Sequence, residues 1–365
     1  MPNLAFNFSS FRILIDEKSS ERKLWRNSID EAISIQLEGG SPSTENNKYT
    51  LILKDFHQLD YSKSHFIVPG NYYFKDDIFI DVSKKVAFRQ TSANQLEFWC
   101  ASTYGMSFPF LFQLLLVKNQ CTFVHSGAFS FQEKGILLSA FGGIGKTALL
   151  AKLSSLDGYK LMGDDLNILS RDGSLQSYLR PFCLYQYHKP LFKKFYELHS
   201  IKYLKPALLW RIYNRLLHEL KTRTGINLKV SRYITNSHSY VTASPFVMFD
   251  HKKLQMNAVP LNYAFVVSRH DSNEQVEVAE ITKDEFADFS LNVLYHEWDY
   301  FDKTLKGYLT FQKTSLSAYL NDVRNTMLAS CAHVEKVFKI SIPIALNAQE
   351  STQRMLEEIK RIVND

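Results

Sequence analysis

Cysteine is scarce in this chain of 365 residues, and its four copies, Cys100, Cys121, Cys183 and Cys331, are scattered. No two of them have C-x-x-C spacing, which excludes a zinc ribbon or a dithiol redox centre. All four are read as reduced thiols that serve packing. An H-E-x-x-H motif is also missing, because His296-Glu297 is followed by Trp298, Asp299 and Tyr300, so a structural metal is not supported. Long apolar runs are absent as well. The longest, Met106 to Val117, is about twelve residues, against the roughly twenty needed to cross a bilayer. The first residues, MPNLAFNFSSFRILIDEKSS, carry charge where a signal peptide needs its apolar region. A cytoplasmic protein without a transmembrane segment is therefore expected. There is no internal repeat and no low-complexity tract.

What is present is the composition of an ordered globular protein, 45% hydrophobic and 14% aromatic. The length allows a large core and two or three structural units, at roughly 100–200 residues each. The net charge of +6 is unevenly spread. Between Lys189 and Arg232 stand eleven Lys or Arg and two acids, Glu197 and Glu219, a local charge of +9 that leaves −3 for the rest. That face is either a solvated surface or a site for an acidic peptide, nucleic acid or anionic lipid.

The pattern along the chain changes three times. Residues 48 to 100 read as short strands, such as Tyr49 to Leu53, Ile78 to Val82 and Leu96 to Trp99, in a mostly antiparallel sheet. Residues 39–47, GGSPSTENN, read as a loop. After an apolar helix near Phe108 to Leu116 comes an α/β alternation: a strand Gly135 to Ser139, a glycine-rich loop, a helix Ala148 to Leu156, and a strand Tyr159 to Met162. From about 186 to 240 long basic helices are expected, among them Pro206 to Leu217 around Trp210, packing as a small subdomain. A strand Tyr263 to Val267, a helix Lys283 to Leu294 and an amphipathic helix Ser351 to Ile362 follow. The domain expectation is a β-rich region over 1–118 and a P-loop domain over 119–365 that carries the helical insertion.

The glycine-rich loop, AFGGIGKT over residues 140–147, ends as a phosphate-binding loop does but has Ala140 in place of the first glycine of G-x-x-x-x-G-K-[ST]. Backbone N–H groups of such a loop turn around phosphate oxygens, and the helix N-terminus adds favourable charge. Gly142, Gly143, Ile144, Gly145, Lys146, Thr147 and Ala148 form the nucleotide-binding set, with Lys146 on the β- and γ-phosphates and the Thr147 hydroxyl on Mg²⁺. Ala140 is tolerated there if its φ is negative. The same residues also fit the G-x-G-x-x-A dinucleotide fingerprint, and Asp164 falls at the spacing of a ribose-binding acid. The Lys-Thr pair and the adjacent carboxylates Asp164 and Asp165 favour a metal–triphosphate site, one acid for the cation and one for the proton of an attacking hydroxyl. A chance glycine turn is the third alternative.

Val124-His125-Ser126-Gly127, Gly135 to Ser139, Gly142 to Thr147 and Gly158-Tyr159-Lys160-Leu161-Met162-Gly163-Asp164-Asp165 together resemble, in order and spacing, the core of the HPr kinase/phosphorylase family. The likeness covers roughly residues 120 to 182. It implies an α/β fold with a PEP-carboxykinase-like P-loop core, here with a β-rich N-terminal part and a helical basic insertion. The family's I-E-[IV]-R-G signature is not found after the aspartates, where Leu179-Arg180-Pro181-Phe182 stands instead. Nor does the N-terminal third look like the regulatory domain of the bifunctional enzymes. The chain thus resembles the family's divergent relatives, some of which phosphorylate a serine of a ribosomal precursor peptide.

The resemblance implies ATP and Mg²⁺ as cofactors, a peptide or protein acceptor, and a homo-oligomer as a possible assembly. It gives Asp164 the role of base and Asp165 that of metal ligand beside Thr147, an order that can also be reversed. Lys146, His125 and Arg180 complete the catalytic set. His125 would tune an aspartate or touch the transferred group, although a lone histidine at a strand end is usually structural. Arg180 would neutralise charge developing on the phosphoryl group, the alternative being a surface ion pair. Arg269 is a weaker candidate for the same task. A small-molecule kinase acting on serine or a sugar, and a non-kinase NTPase or nucleotide switch, remain open beside the peptide kinase.

Overall fold

The computed structural model describes residues 4–8, 11–15, 48–68, 70–101, 107–180, 182–185, 188–193, 240–271, 275–298 and 302–364. The expected loop at 39–47 and nearly all of the expected insertion, with Trp210 and its helix, lie outside the described residues.

The chain begins with strands β1 (Leu4–Phe8), β2 (Phe11–Ile15), β3 (Tyr49–Asp55), β4 (His65–Val68), β5 (Tyr72–Lys75), β6 (Ile78–Asp81), β7 (Val86–Ser92) and β8 (Gln95–Cys100). They form one sheet in the order β1-β2-β3-β8-β7-β6-β5-β4. Most neighbours are antiparallel, as expected, but β3 lies parallel to both β2 and β8. The burial of β3 alternates strictly, with Tyr49, Leu51 and Leu53 inside, which is how a strand with one covered face reads.

The apolar helix α1 (Ser107–Lys118) leads into β9 (Cys121–Phe131) and β10 (Lys134–Ala140), then α2 (Lys146–Ser154), β11 (Tyr159–Gly163), β12 (Leu166–Ser170) and β13 (Ser174–Gln176). A ribbon of β14 (Phe182–Tyr185) and β15 (Tyr240–Ala243) is followed by a short helix α3 (Pro245–Met248) and the long strand β16 (Val259–His270). The chain ends with β17 (Glu277–Ile281), α4 (Lys283–Glu297), α5 (Asp302–Phe311), α6 (Leu316–Ser330), β18 (Val337–Pro343) and α7 (Ala348–Asn364). The fold is mixed α/β with two mixed sheets and, among the described residues, seven helices.

The second sheet is organised around β9, which is buried along almost its whole length. On one edge β9 pairs antiparallel with β10. On the other edge it pairs first with β12 and then with β11, which run end to end. Leu166 stands opposite His125 and Gly163 opposite Ala128, so Asp164 and Asp165 fall at the break between the two strands. β10 in turn lies parallel to β16, with Ala140 opposite Val267. Gly127 lets α2 approach this sheet closely, since a Cβ there would stand 3.2 Å from Leu150 Cδ1 and 3.5 Å from Lys146 Cβ.

The N-terminal sheet is not a separate body. One continuous apolar core runs from Tyr49, Phe88 and Phe98 through Phe112 and Phe123 to Phe286 and Val323. α5 returns to the first sheet, where Tyr308 packs on Phe79 and Phe88 and Thr304 donates a 2.8 Å hydrogen bond to the fully buried Asp81. Packing therefore crosses the boundary expected near residue 118. Among the described residues, no helix is long and apolar enough to cross a membrane. Three of the cysteines are buried, but Cys183 is exposed, because β14 turns Phe182 and Leu184 inward and the residue between them outward.

Candidate functional site

The glycine-rich loop joins β10 to α2, the strand–loop–helix setting a phosphate loop requires. Ala140 is the last residue of β10 and is not among the residues with positive φ, so its methyl is accommodated as an ordinary strand side chain. Two of the glycines have positive φ, which residues with a side chain rarely adopt: Gly143 has φ +79° and Gly145 φ +107°. A Cβ at Gly143 would meet nothing within 4 Å, so backbone conformation, not space, explains that glycine. Gly145 precedes α2 and supplies no side-chain cap, leaving the first-turn N–H groups to other acceptors.

Lys146 is 9% exposed, and its ammonium donates to the carbonyls of Ala140 at 2.7 Å and Phe141 at 3.0 Å. Burial pushes its pKa down, opposed by the charges of Asp164, Asp165 and Glu297. Thr147 points to the strand break, where its hydroxyl donates to Asp164 Oδ2 at 2.6 Å. Asp164 is 8% exposed. Desolvation raises its pKa, against the bond from Thr147 and the attraction of Lys146.

Asp165 has a different neighbourhood. It adopts φ +78°, a left-handed conformation rare for a residue with a side chain and tolerated best by Asp and Asn. Its carbonyl accepts the Ser126 N–H at 3.2 Å. One carboxylate oxygen stands 2.8 Å from His125 Nε2, and the other accepts from the Arg180 guanidinium. Burial of this end of the sheet raises the carboxyl, but Arg180 and His125 outweigh that and hold it well below the usual range. His125 Nδ1 lies 2.8 Å from the Ala140 carbonyl. Both ring nitrogens thus stand at hydrogen-bond distance from oxygens, which fixes the orientation of the ring.

The six side chains named from the sequence, His125, Lys146, Thr147, Asp164, Asp165 and Arg180, therefore meet at one end of one sheet. Of the two orders left open for the aspartates, Thr147 is paired with Asp164, and Asp165 is taken up by His125 and Arg180. Arg269 lies at the same end of the sheet, two residues beyond the Val267 that pairs with Ala140.

Three contributors were not anticipated. Asn167, fully buried, donates to the Ser126 carbonyl at 3.0 Å and hydroxyl at 3.1 Å, clamping β12 to β9 beside the break. The exposed thiol of Cys183 feels Asp165 and Arg180, and burial of its surroundings pushes it up to about 11. Glu297, the last residue of α4, accepts the Gly142 N–H at 3.1 Å across 155 residues of sequence. Asn167 follows the paired aspartates by two residues, a proximity that is the one local signal for it; nothing local marks Glu297.

Hard oxygen donors, a hydroxyl and a carboxylate 2.6 Å apart, fit Mg²⁺, and a loop with two left-handed glycines fits phosphate oxygens. Comparison with family models and with curated proteins finds no match to this sequence.

Proposed function

We propose that the chain is a P-loop kinase, related to HPr kinase with a PEP-carboxykinase-like core, that transfers the γ-phosphoryl group of ATP to a serine hydroxyl of a peptide or protein. The observation that carries this reading is the pairing of the loop's Thr147 with one carboxylate while the adjacent carboxylate is held by a histidine and an arginine. Thr147 and Asp164 would hold Mg²⁺, which when bound would supply positive charge against the phosphates.

In this reading the roles of the two aspartates are exchanged relative to the sequence expectation. Asp164 is nearly buried and already hydrogen-bonded to Thr147, so it suits the cation. Asp165 has a side chain 47% exposed, so an incoming hydroxyl can reach it. The serine oxygen forms its bond to the γ-phosphorus as the bond to the β-phosphate oxygen breaks. The hydroxyl proton passes to Asp165 and ADP leaves. A low-pKa carboxylate suffices for this, because transfer rests mainly on positioning and charge neutralisation. Lys146 and Arg180 supply the positive charge. The exposure of Asp165 suits an acceptor presented on a peptide or protein surface better than an enclosed small molecule.

The test uses γ-labelled ATP, Mg²⁺ and a panel of serine-containing peptides, with phosphoserine read by mass spectrometry. Lys146→Ala removes the charge aimed at the phosphates and should reduce transfer at least a hundredfold while the circular dichroism spectrum is unchanged. Transfer at the parental rate would overturn the P-loop reading. ATP hydrolysis stimulated by nucleic acid, with no phosphorylated product, would select a nucleotide switch instead.

A further inference from the structure

One feature of the loop is not accounted for by nucleotide chemistry: its Gly142 N–H already donates to a carboxylate of the same chain, that of Glu297. In a phosphate loop such N–H groups are the ligands of phosphate oxygens. We infer that Glu297 is an affinity-determining residue of the loop, an internal carboxylate that occupies the place of a phosphate oxygen and must be displaced before a polyphosphate binds. This inference rests on the reading of residues 141–147 as a phosphate loop.

Helix energetics do not explain an acid at this place. Glu297 is the last residue of α4, where the helix dipole favours a cation. Burial does not explain it either, since Glu297 is exposed. Its charge also reaches the ammonium of Lys146, alongside those of Asp164 and Asp165. The carboxylate thus uses two of the loop's anion-binding elements, one backbone N–H directly and the lysine through its field.

The approach of α4 to the loop does not depend on Glu297. Phe141 packs edge-on against Phe289 and His296, at 5.7 and 5.3 Å between ring centroids. Ser290 donates to Ser139 at 2.9 Å, with both residues fully buried. Trp298, the next residue, packs on Phe123. The end of the helix is therefore fixed against the loop by neighbours of Glu297, while the glutamate itself, exposed and on a flexible stem, can swing out once an oxyanion with more contacts arrives. A triphosphate has those contacts, because it can engage the Gly143 to Thr147 backbone and Lys146 together.

The experiment measures dissociation constants of sodium tripolyphosphate and of ATP by isothermal titration calorimetry on the full chain, for the parent, Glu297→Gln and Glu297→Ala. Glutamine keeps the size and removes the charge; alanine removes both charge and acceptor. Both variants should bind tripolyphosphate about tenfold more tightly than the parent, the order expected for relieving one partly screened charge repulsion at hydrogen-bond range. They should melt within about 2 °C of the parent, because the packing around the helix end is kept. Affinities within twofold of the parent in both variants, with Lys146→Ala still abolishing binding, would overturn the role of Glu297 and leave the loop reading standing. If neither parent nor variants bind tripolyphosphate or ATP, the loop reading fails and this inference with it.

Discussion

Neutralising one of two adjacent aspartates should stabilise the ligand-free protein, while neutralising the other should destabilise it. Asp164 is the one whose charge opposes the fold. Its carboxyl is 8% exposed, and its pKa is raised even though Thr147 and Lys146 favour the ionised form. A group whose pKa is raised on folding contributes stability that is fully present below its unfolded value near 4 and is lost as pH rises through the folded value. At neutral pH the ionised Asp164 is thus a net cost. Asp164→Asn removes the buried charge but keeps an oxygen for the Thr147 hydroxyl, so it should add about 1 kcal/mol, the usual order for a single substitution. The gain should be smaller at pH 4 than at pH 7, because near the unfolded value the carboxyl is largely protonated and its buried charge is relieved. Urea unfolding in the presence of EDTA at the two pH values measures it. Adding 5 to 10 mM Mg²⁺ should then stabilise the parent but not the variant, because the cation's carboxylate is gone. An Asp164→Asn chain that is less stable than the parent at both pH values, or one that Mg²⁺ stabilises equally, would refute the reasoning.

The remaining expectations concern the neighbours of that residue and the link between the sheets. Asp165→Asn leaves Arg180 and His125 without their shared anion, and because the site is half open the loss should be about 1–2 kcal/mol, read in the same urea assay, with transfer reduced at least a hundredfold. Its pH dependence runs the other way. A carboxyl held low contributes stability present above the unfolded pKa and lost as pH falls through the folded one, so the deficit of the variant should shrink under acid conditions. Gly163→Ala places a Cβ 2.5 Å from Asn167 Oδ1 and 3.1 Å from the Leu166 carbonyl, which should displace the aspartate break, costing about 1–3 kcal/mol and most of the activity; a rate near that of the parent counts against a role for this geometry. Thr304→Val removes the hydroxyl that Asp81 accepts from inside the shared core, and thermal unfolding should show a loss of about 2 kcal/mol with the kinetic constants unchanged.

Residues whose roles depend on neighbours in sequence were legible from it. The strand–loop–helix around Lys134 to Ser154 follows from an apolar run, three glycines and a helical pattern, and the structure has β10, the loop and α2 there. Helix α7 was legible from its single apolar face, and Met355, Leu356, Ile359 and Val363 are buried together against α2. Other elements were not legible. α5 and α6 carry apolar residues that fill a surface formed by distant strands, as Tyr308 does on Phe79 and Phe88, and no local periodicity reveals which surface that is. β3 reads as a strand from its alternation, yet its parallel partners β2 and β8 are set by crossovers that a run of β-branched residues does not encode. Glu297 belongs to the same class, since its relation to Gly142 exists only once α4 has packed across the sheet.

The division between Asp164 and Asp165 shows most clearly what a motif leaves open. Two identical side chains in succession have the same intrinsic acidity, and in a regular strand they would point to opposite faces. Here the strand is interrupted between Gly163 and Leu166, and the left-handed backbone of Asp165 turns the chain so that its carbonyl meets Ser126. One carboxylate then falls into a buried pocket beside a hydroxyl, the other between a guanidinium and an imidazole. Their pKa values move in opposite directions as a result, which is the condition under which two like groups can take different tasks. The separation depends on the break, the break is clamped by Asn167 across to Ser126, and Gly163 is small because Asn167 fills the space its side chain would need. The pair of acids in the sequence is thus only the visible part of a unit that runs from Gly163 to Asn167 and includes the facing His125 and Ser126. It is this unit, not the dipeptide, that a change of role between the two aspartates would have to alter.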